Sequence, residues 1–318
     1  MEVDGSAAPP VSTLLRHSAR VWIVRRILIA LVALLAALTL ASVAYNLATS
    51  DPNVPVTKLW HGPFAGGTAY RHWGSHGSAV ILLGGFLEPS FVWEGVGPLL
   101  GRDHRVYALD LDGFGYTVRK GPYTLDHWAD QVQAFEHRLG LSRPIVVGHS
   151  LGAPVAVELA RRGAASRAVL LDGDAVAVGG PPSFVRDLLV HTPFFTTLYR
   201  LVTNADWVVR RILKNAYGPL HPALGASLVH RWTDQFRAKD ARQALQGIAK
   251  AGIAGFSRGQ LAAMHVKALV LWGAKDSVDS VSAGRETARQ LHARFVLLPG
   301  AGHLSMTERP DLIARAIG

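Results

Sequence analysis

The sequence predicts an α/β protein: a mostly parallel, doubly wound sheet of about eight strands, with an all-helical lid and one preceding transmembrane helix. Three observations predict it. Downstream of residue 56, short apolar runs alternate with helical patterns, as in a parallel sheet covered on both faces. The alternation breaks once, from Ala175 to about Ala263, where only helical segments occur. Residues 27–48, ILIALVALLAALTLASVAYNLA, carry no charge, and about 20 such residues let a helix cross a bilayer.

Arg16, Arg20, Arg25 and Arg26 precede the apolar run and Asp51 follows it. The positive-inside rule then places the N-terminus in the cytoplasm and the rest of the chain outside. The expected organisation is a disordered tail over residues 1–20, an anchor over 21–48, a linker over 49–55 and a folded α/β domain over 56–318. A cleaved signal, which would leave a secreted protein, is the competing reading; Ser42-Val43-Ala44 and Asn46-Leu47-Ala48 offer small-residue sites. The run is long for a signal, which favours the uncleaved anchor. Its uninterrupted apolar perimeter argues against a buried core helix.

Val56–Trp60 and Gly67–Trp73 read as an opening pair of strands. Ala79–Leu83 reads as a buried strand ending in Gly84-Gly85, Trp93–Leu100 as a helix, and Arg105–Leu109 as a strand. Thr124 is the expected N-cap of a helix whose Leu125, Trp128, Val132, Phe135 and Leu139 share one face. Pro144–Val147 is a strand, Leu151–Arg162 a helix and Ala168–Leu171 a strand. In the lid, helical segments fall at Ser183–His191, Thr196–Val202, Trp207–Tyr217, Ala223–Phe236 and Ala241–Ala254, with prolines between them. Strands then follow at Lys267–Trp272 and Arg294–Leu298, separated by a helix over Val281–His292.

Composition narrows the function. Hydrophobic residues make up 49% and charged residues 18% of the chain, enough for a sizeable core. The formal charge is +10, but Lys and Arg are scattered and no nucleic-acid motif occurs, so a basic surface is expected and no nucleic-acid partner. The chain has no cysteine, which removes disulfides, thiol nucleophiles and cysteine-ligated metals together. His72 and His76 lack a third ligand at suitable spacing and read as surface residues.

The chemistry centres on Gly148-His149-Ser150-Leu151-Gly152, a G-x-S-x-G pattern between an apolar run and a helix. A serine on so tight a turn projects its hydroxyl above the sheet, and the following helix aims free N–H groups at developing negative charge. Serine needs a base, and the base an orienting acid. Asp276 follows the Ala268–Gly273 run and His303 follows the Phe295–Leu298 run, both on loops at C-terminal strand ends, where ligands bind in parallel sheets. The order Ser, Asp, His is the one that the elbow motif requires. Asp172 and Asp279 are alternative acids. The backbone N–H groups of Leu151 and Phe86 are the expected oxyanion donors.

LLGGF (82–86), LDLDGFG (109–115), VVGHSLGA (146–153), LWGAKD (271–276) and PGAGHLSMTERP (299–310) resemble the α/β-hydrolase superfamily, in particular its serine members with a helical cap after the sixth strand. The resemblance covers about residues 66–317. It implies Ser150 as nucleophile, His303 as general base, Asp276 as its partner, and no metal or organic cofactor. The chain departs from the family at Gly84-Gly85, where His-Gly is usual. The serine at the elbow separates it from the dehalogenase and epoxide hydrolase branches, which use aspartate.

The expected activity is cleavage of an ester-like bond in a lipophilic small molecule. Phe184, Leu188, Leu189, Phe194, Phe195, Leu198, Tyr199, Trp207 and Trp232 supply the lid with apolar surface for packing or for an acyl pocket. Acyl transfer, haloperoxidase-like chemistry, C–C hydrolysis and cyclisation are alternatives on the same fold. A non-catalytic binding protein would not be expected to keep all three residues.

Overall fold

The computed structural model describes residues 11–177, 183–252 and 255–318. It forms two compact units, Met1–Ser50 and Asp51–Gly318.

The first unit is one helix, α1, over Val11–Ala48. It starts inside the expected disordered tail. No proline or glycine interrupts the chain after Pro10, so nothing breaks the helix before the apolar run. Residues 1–10 lie outside the described residues. Trp22–Ala48 is long and apolar enough to cross a membrane.

In the second unit, eight strands form one sheet among the described residues. They are β1 (Phe64–Ala65), β2 (Thr68–Trp73), β3 (Ala79–Leu83), β4 (Arg105–Leu109), β5 (Ile145–His149), β6 (Arg167–Leu171), β7 (Ala268–Gly273) and β8 (Arg294–Leu298). The order is β1-β2-β4-β3-β5-β6-β7-β8. β1 and β2 are antiparallel to each other and β2 to β4; all the other pairs are parallel. β3 shows why the sheet is central. Ala79, Ile81 and Leu83 join one core with Trp128 and Phe135, while Val80 and Leu82 join the other with Trp93 and Ile313. Side chains alternate across a strand, so an unbroken apolar run fills both faces.

The helices are α2 (Val56–Leu59), α3 (Gly97–Leu100), α4 (Leu125–Arg138), α5 (Gly152–Arg161), α6 (Ser183–Val190), α7 (Pro193–Thr203), α8 (Asp206–Ala216), α9 (Ala226–Thr233), α10 (Ala241–Ala251), α11 (Arg258–Ala262), α12 (Val281–Gln290), α13 (Ser305–Glu308) and α14 (Pro310–Ile317). Thr124 caps α4, its hydroxyl accepting from the His127 N–H. Helices α6–α11 form the cap between β6 and β7; residues 253 and 254, expected to end its fifth helix, lie outside the described residues.

Three expectations are corrected. Val56–Trp60 is not a strand: Pro55 leads into helix α2, and Trp60 stacks on Tyr116 at 5.4 Å. Phe64–Ala65 takes the edge position instead. The helix expected over 93–100 divides into a 3₁₀ turn, Ser90–Trp93, and α3, with Gly95 between them. The expected linker is not free. The Asp51 carboxylate accepts from Arg200 Nε at 2.8 Å and from Arg242 Nε at 2.7 Å, and Val54 exchanges backbone hydrogen bonds with Arg237 and Lys239. Burial opposes the Asp51 charge, but the two guanidinium groups outweigh it and hold the carboxyl below the usual carboxylate range.

Candidate active site

Ser150 sits between β5 and α5 with φ +46°, a left-handed conformation that costs a non-glycine residue energy. The turn is held from both sides, by the Ser150 N–H on the Leu171 carbonyl at 3.0 Å and the Ala153 N–H on the Ser150 carbonyl at 2.9 Å. A β-carbon at Gly148 would lie 2.0 Å from the Gly152 carbonyl oxygen, so only glycine lets strand and helix cross this closely. A β-carbon at Gly85 would lie 2.9 Å from that of Ser150, and glycine there lets the loop after β3 close over the serine.

The structure brings His303 and Asp276 together. The His303 Nδ1–H donates to Asp276 Oδ2 at 2.9 Å, and the Asp276 side chain is fully buried. Its Oδ1 accepts the N–H groups of Val278 at 2.8 Å and Asp279 at 3.0 Å. The carboxylate is thereby fixed, and the imidazole is held with Nε2 as the basic nitrogen. Ser150 and His303 line the same cavity; among the described residues no hydrogen bond joins them. The Phe86 and Leu151 N–H groups have no protein acceptor among the described residues, and both residues line that cavity. Two unused donors beside a serine are what a developing oxyanion needs.

The alternative acids are placed elsewhere. Asp172 follows β6, fully buried, and accepts from the Gly273 N–H at 2.6 Å and the Ser305 hydroxyl. Burial raises its pKa to about 7 against the pull of His149 and His303. Asp279 lines the cavity, its pKa raised by burial, but makes no hydrogen bond to His303.

Two residues that the motif reading passed over join the loops. His149 is fully buried; its Nδ1–H donates to Glu88 Oε2 at 2.7 Å and its Nε2–H to the His303 carbonyl at 2.7 Å. Both ring nitrogens face acceptors, so both carry protons. Burial opposes that charge, but Glu88 and Asp172, the latter 4.0 Å away, outweigh it and raise the His149 pKa to about 9. Glu88 Oε2 also accepts the Gly85 N–H at 2.7 Å. One ion pair therefore ties the oxyanion loop, the elbow and the histidine loop together. A side chain at Gly84 would meet the backbone and β-carbon of Glu88 at 2.8 and 3.0 Å, so glycine at the family's usual histidine position makes room for Glu88. The histidine directly before Ser150 was the available signal; its partner, 61 residues upstream, was not readable.

The cap is tied to the same loops. The His303 N–H donates to the Ala216 carbonyl at 2.9 Å, and Glu308 Oε2 accepts from Gly218 and Gly302. Gln235 donates to the Leu87 carbonyl at 2.7 Å and accepts from Gly115 at 2.9 Å. Between cap and sheet lies a largely apolar cavity of about 550 Å³, within the usual range for small-molecule sites of about 300–1,000 Å³. Its cap wall includes Val202, Val209, Ile212, Leu213, Trp232 and Phe236. Of the lid residues singled out in the sequence whose side chains are described, Trp232 alone lines it. Tyr199 is buried with its hydroxyl on the Phe236 carbonyl, Phe194 and Phe195 are half-buried, and Phe184, Leu188, Leu198 and Trp207 are exposed. The Leu189 side chain lies outside the described residues.

An eight-stranded sheet with a serine elbow, a histidine–aspartate pair after its last strands and a helical cap defines an α/β-fold hydrolase. The chain belongs to the alpha/beta hydrolase family, whose model matches residues 59–316. It is 24% identical over 254 residues to the uncharacterized hydrolase YugF of Bacillus subtilis, covering 78% of this chain and 92% of that one. The fold is shared with the enol-lactonase of Burkholderia xenovorans LB400, at TM-score 0.64 and 24% identity over 79% of this chain and 94% of the other. It is also shared with a membrane phospholipase A described as a bacterial virulence factor, at TM-score 0.64 and 23% identity over 92% of this chain and 96% of the other.

Proposed function

We propose that the protein is a membrane-anchored serine hydrolase that cleaves an ester-like bond of a lipophilic small molecule through an acyl-enzyme on Ser150. One observation carries the reading: Ser150, the His303–Asp276 pair and the unused N–H groups of Phe86 and Leu151 meet at one apolar cavity. His303 Nε2 takes the hydroxyl proton as Ser150 Oγ attacks the carbonyl carbon. The carbonyl oxygen becomes an oxyanion between the Phe86 and Leu151 N–H groups. Collapse breaks the ester bond, and the leaving alcohol takes the proton from His303. Water then gives a proton to His303 and attacks the acyl carbon; the acid leaves and Ser150 regains its proton.

The apolar cavity supports a hydrocarbon-rich acyl or alkyl group. Helix α1 supports an anchor with the catalytic unit outside the cytoplasm, given the arginines before the apolar run and Asp51 after it. The likeness to the membrane phospholipase A, at 92% of this chain, covers more than residues 51–318 alone can supply, so it extends into α1.

A series of esters differing only in acyl length tests the substrate class, assayed in water with and without an alcohol acceptor. Turnover is expected to rise with chain length and to yield free acid. Better turnover of short, water-soluble esters would remove the lipophilic reading. Ester product formed in preference to acid would make the protein a transferase.

A further inference from the structure

We infer that the outer face of cap helices α7 and α8 docks on the surface of an anionic bilayer, so that the cavity above Ser150 opens toward lipid. The inference rests on reading α1 as a membrane anchor.

The first observation is the Asp51 clasp. The Asp51 carboxylate is ion-paired with Arg200 of α7 and Arg242 of α10, its side chain 9% exposed. Val54 pairs with Ala238, just after the 3₁₀ turn Asp234–Arg237 of the cap. Helix α1 ends at Ala48, three residues before Asp51 in the sequence, so the first residue of the catalytic unit is one that its cap holds.

The second observation is what the cap presents beside this point. Leu198 and Leu201 flank Arg200 on α7 and are 50% and 52% exposed; Trp207, in the first turn of α8, is 75% exposed. Helix α8 also carries Arg210, Arg211 and Lys214, all exposed, against one acid, Asp206. Exposed Trp and Leu with a majority of cations is the composition of a helix lying in a membrane interface, where the apolar side chains enter the headgroup region and the cations meet anionic lipid.

The third observation is continuity with the site. Ile212, on the same helix and 55% exposed, lines the cavity with Ser150, as do the exposed Phe86 and Val278. These three side chains belong to both the surface and the cavity, and so mark its mouth. Docking through α7 and α8 brings that mouth to the lipid, where an amphiphile can enter acyl chain first without crossing water.

The absence of native cysteine makes the test direct. Full-length Trp207→Cys, Leu201→Cys, Leu35→Cys and Ser75→Cys variants, each carrying one environment-sensitive fluorophore, are reconstituted in phosphatidylglycerol–phosphatidylcholine vesicles. Leu35 lies in α1, and Ser75 is an exposed turn residue before β3, at the opposite end of the sheet from the cap. A nitroxide carried on lipid is expected to quench positions 35, 201 and 207 and to leave 75 bright. Quenching at 35 without quenching at 201 and 207 overturns the docking while the anchor stands. No quenching at 35 means that the anchor reading itself has failed, and the docking with it. Positions 201 and 207 shielded from an aqueous quencher but unreached by the lipid-borne one would mean that a second copy covers this face, which also overturns the proposal.

Discussion

At the rim of the sheet, Ser150, His303, Asp276 and Glu88 stand on four separate loops held by hydrogen bonds of 2.7–3.0 Å, those of Glu88 and His149 buried. Across the cavity, Val202, Val209, Ile212 and Leu213 present only hydrocarbon, and nothing directional fixes what they touch. The rim is built to hold atoms in place, and its residues tolerate little change, because each buried polar group left without a partner costs about 1–3 kcal/mol. The cap wall sets a volume and is open to substitution of similar size. On the proposed function, chemistry and substrate choice fall to these two sides, and mutations on them should divide accordingly.

The largest effect is expected between two buried aspartates. Asp276→Asn should lower kcat by about 10²–10⁴-fold, because it upsets the tautomer and charge partner of His303. Asp172→Asn can still accept from Gly273 and meet Ser305, so it should cost only a small factor. Steady-state kinetics of the pair checks this; equal losses would show that the acid has been misassigned.

Next is the ion pair beneath the site. Glu88→Gln removes the carboxylate that holds Gly85 and His149, and kcat is expected to fall by about 10- to 100-fold, with KM changing far less. The substitution should also alter the pH dependence of stability. The His149 pKa, about 9 in the folded protein, exceeds the unbound value, so its contribution is complete below about 6.5 and is lost as pH rises through about 9. Wild type should therefore lose more stability than Glu88→Gln across that interval in denaturant titrations.

The smallest effect belongs to the cap. Val209→Phe narrows the cavity without touching the rim. It is expected to lower kcat/KM for long-chain esters by about tenfold relative to short ones, with the short-chain rate unchanged. A uniform loss would mean that the cap wall is part of the catalytic assembly.

The same division governs what could be read from the sequence. The β3, β4 and β8 boundaries fell as expected because each is a continuous apolar run, buried throughout at β3 and entered from an arginine at β4 and β8. The elbow, Asp276 and His303 were legible because each follows such a run. Glu88 was not, since its partner lies 61 residues away and a lone glutamate in a loop carries no pattern. Asp51 resembled a linker residue because its arginines lie 149 and 191 residues downstream. The cap helices were visible as helices, but which of their side chains would line a cavity was not. The aromatic residues drew attention, whereas the cavity took mainly the smaller aliphatic side chains of α7 and α8.

The central claim is that Ser150 is a nucleophile activated by His303. Reaction of the folded protein with a fluorophosphonate, followed by mass spectrometry of the intact chain and its peptides, tests it most directly. The account predicts a single adduct, on the peptide containing Ser150, absent from Ser150→Ala and formed far more slowly in Asp276→Asn. An unlabelled wild type, or equal labelling of Ser150→Ala, would contradict it.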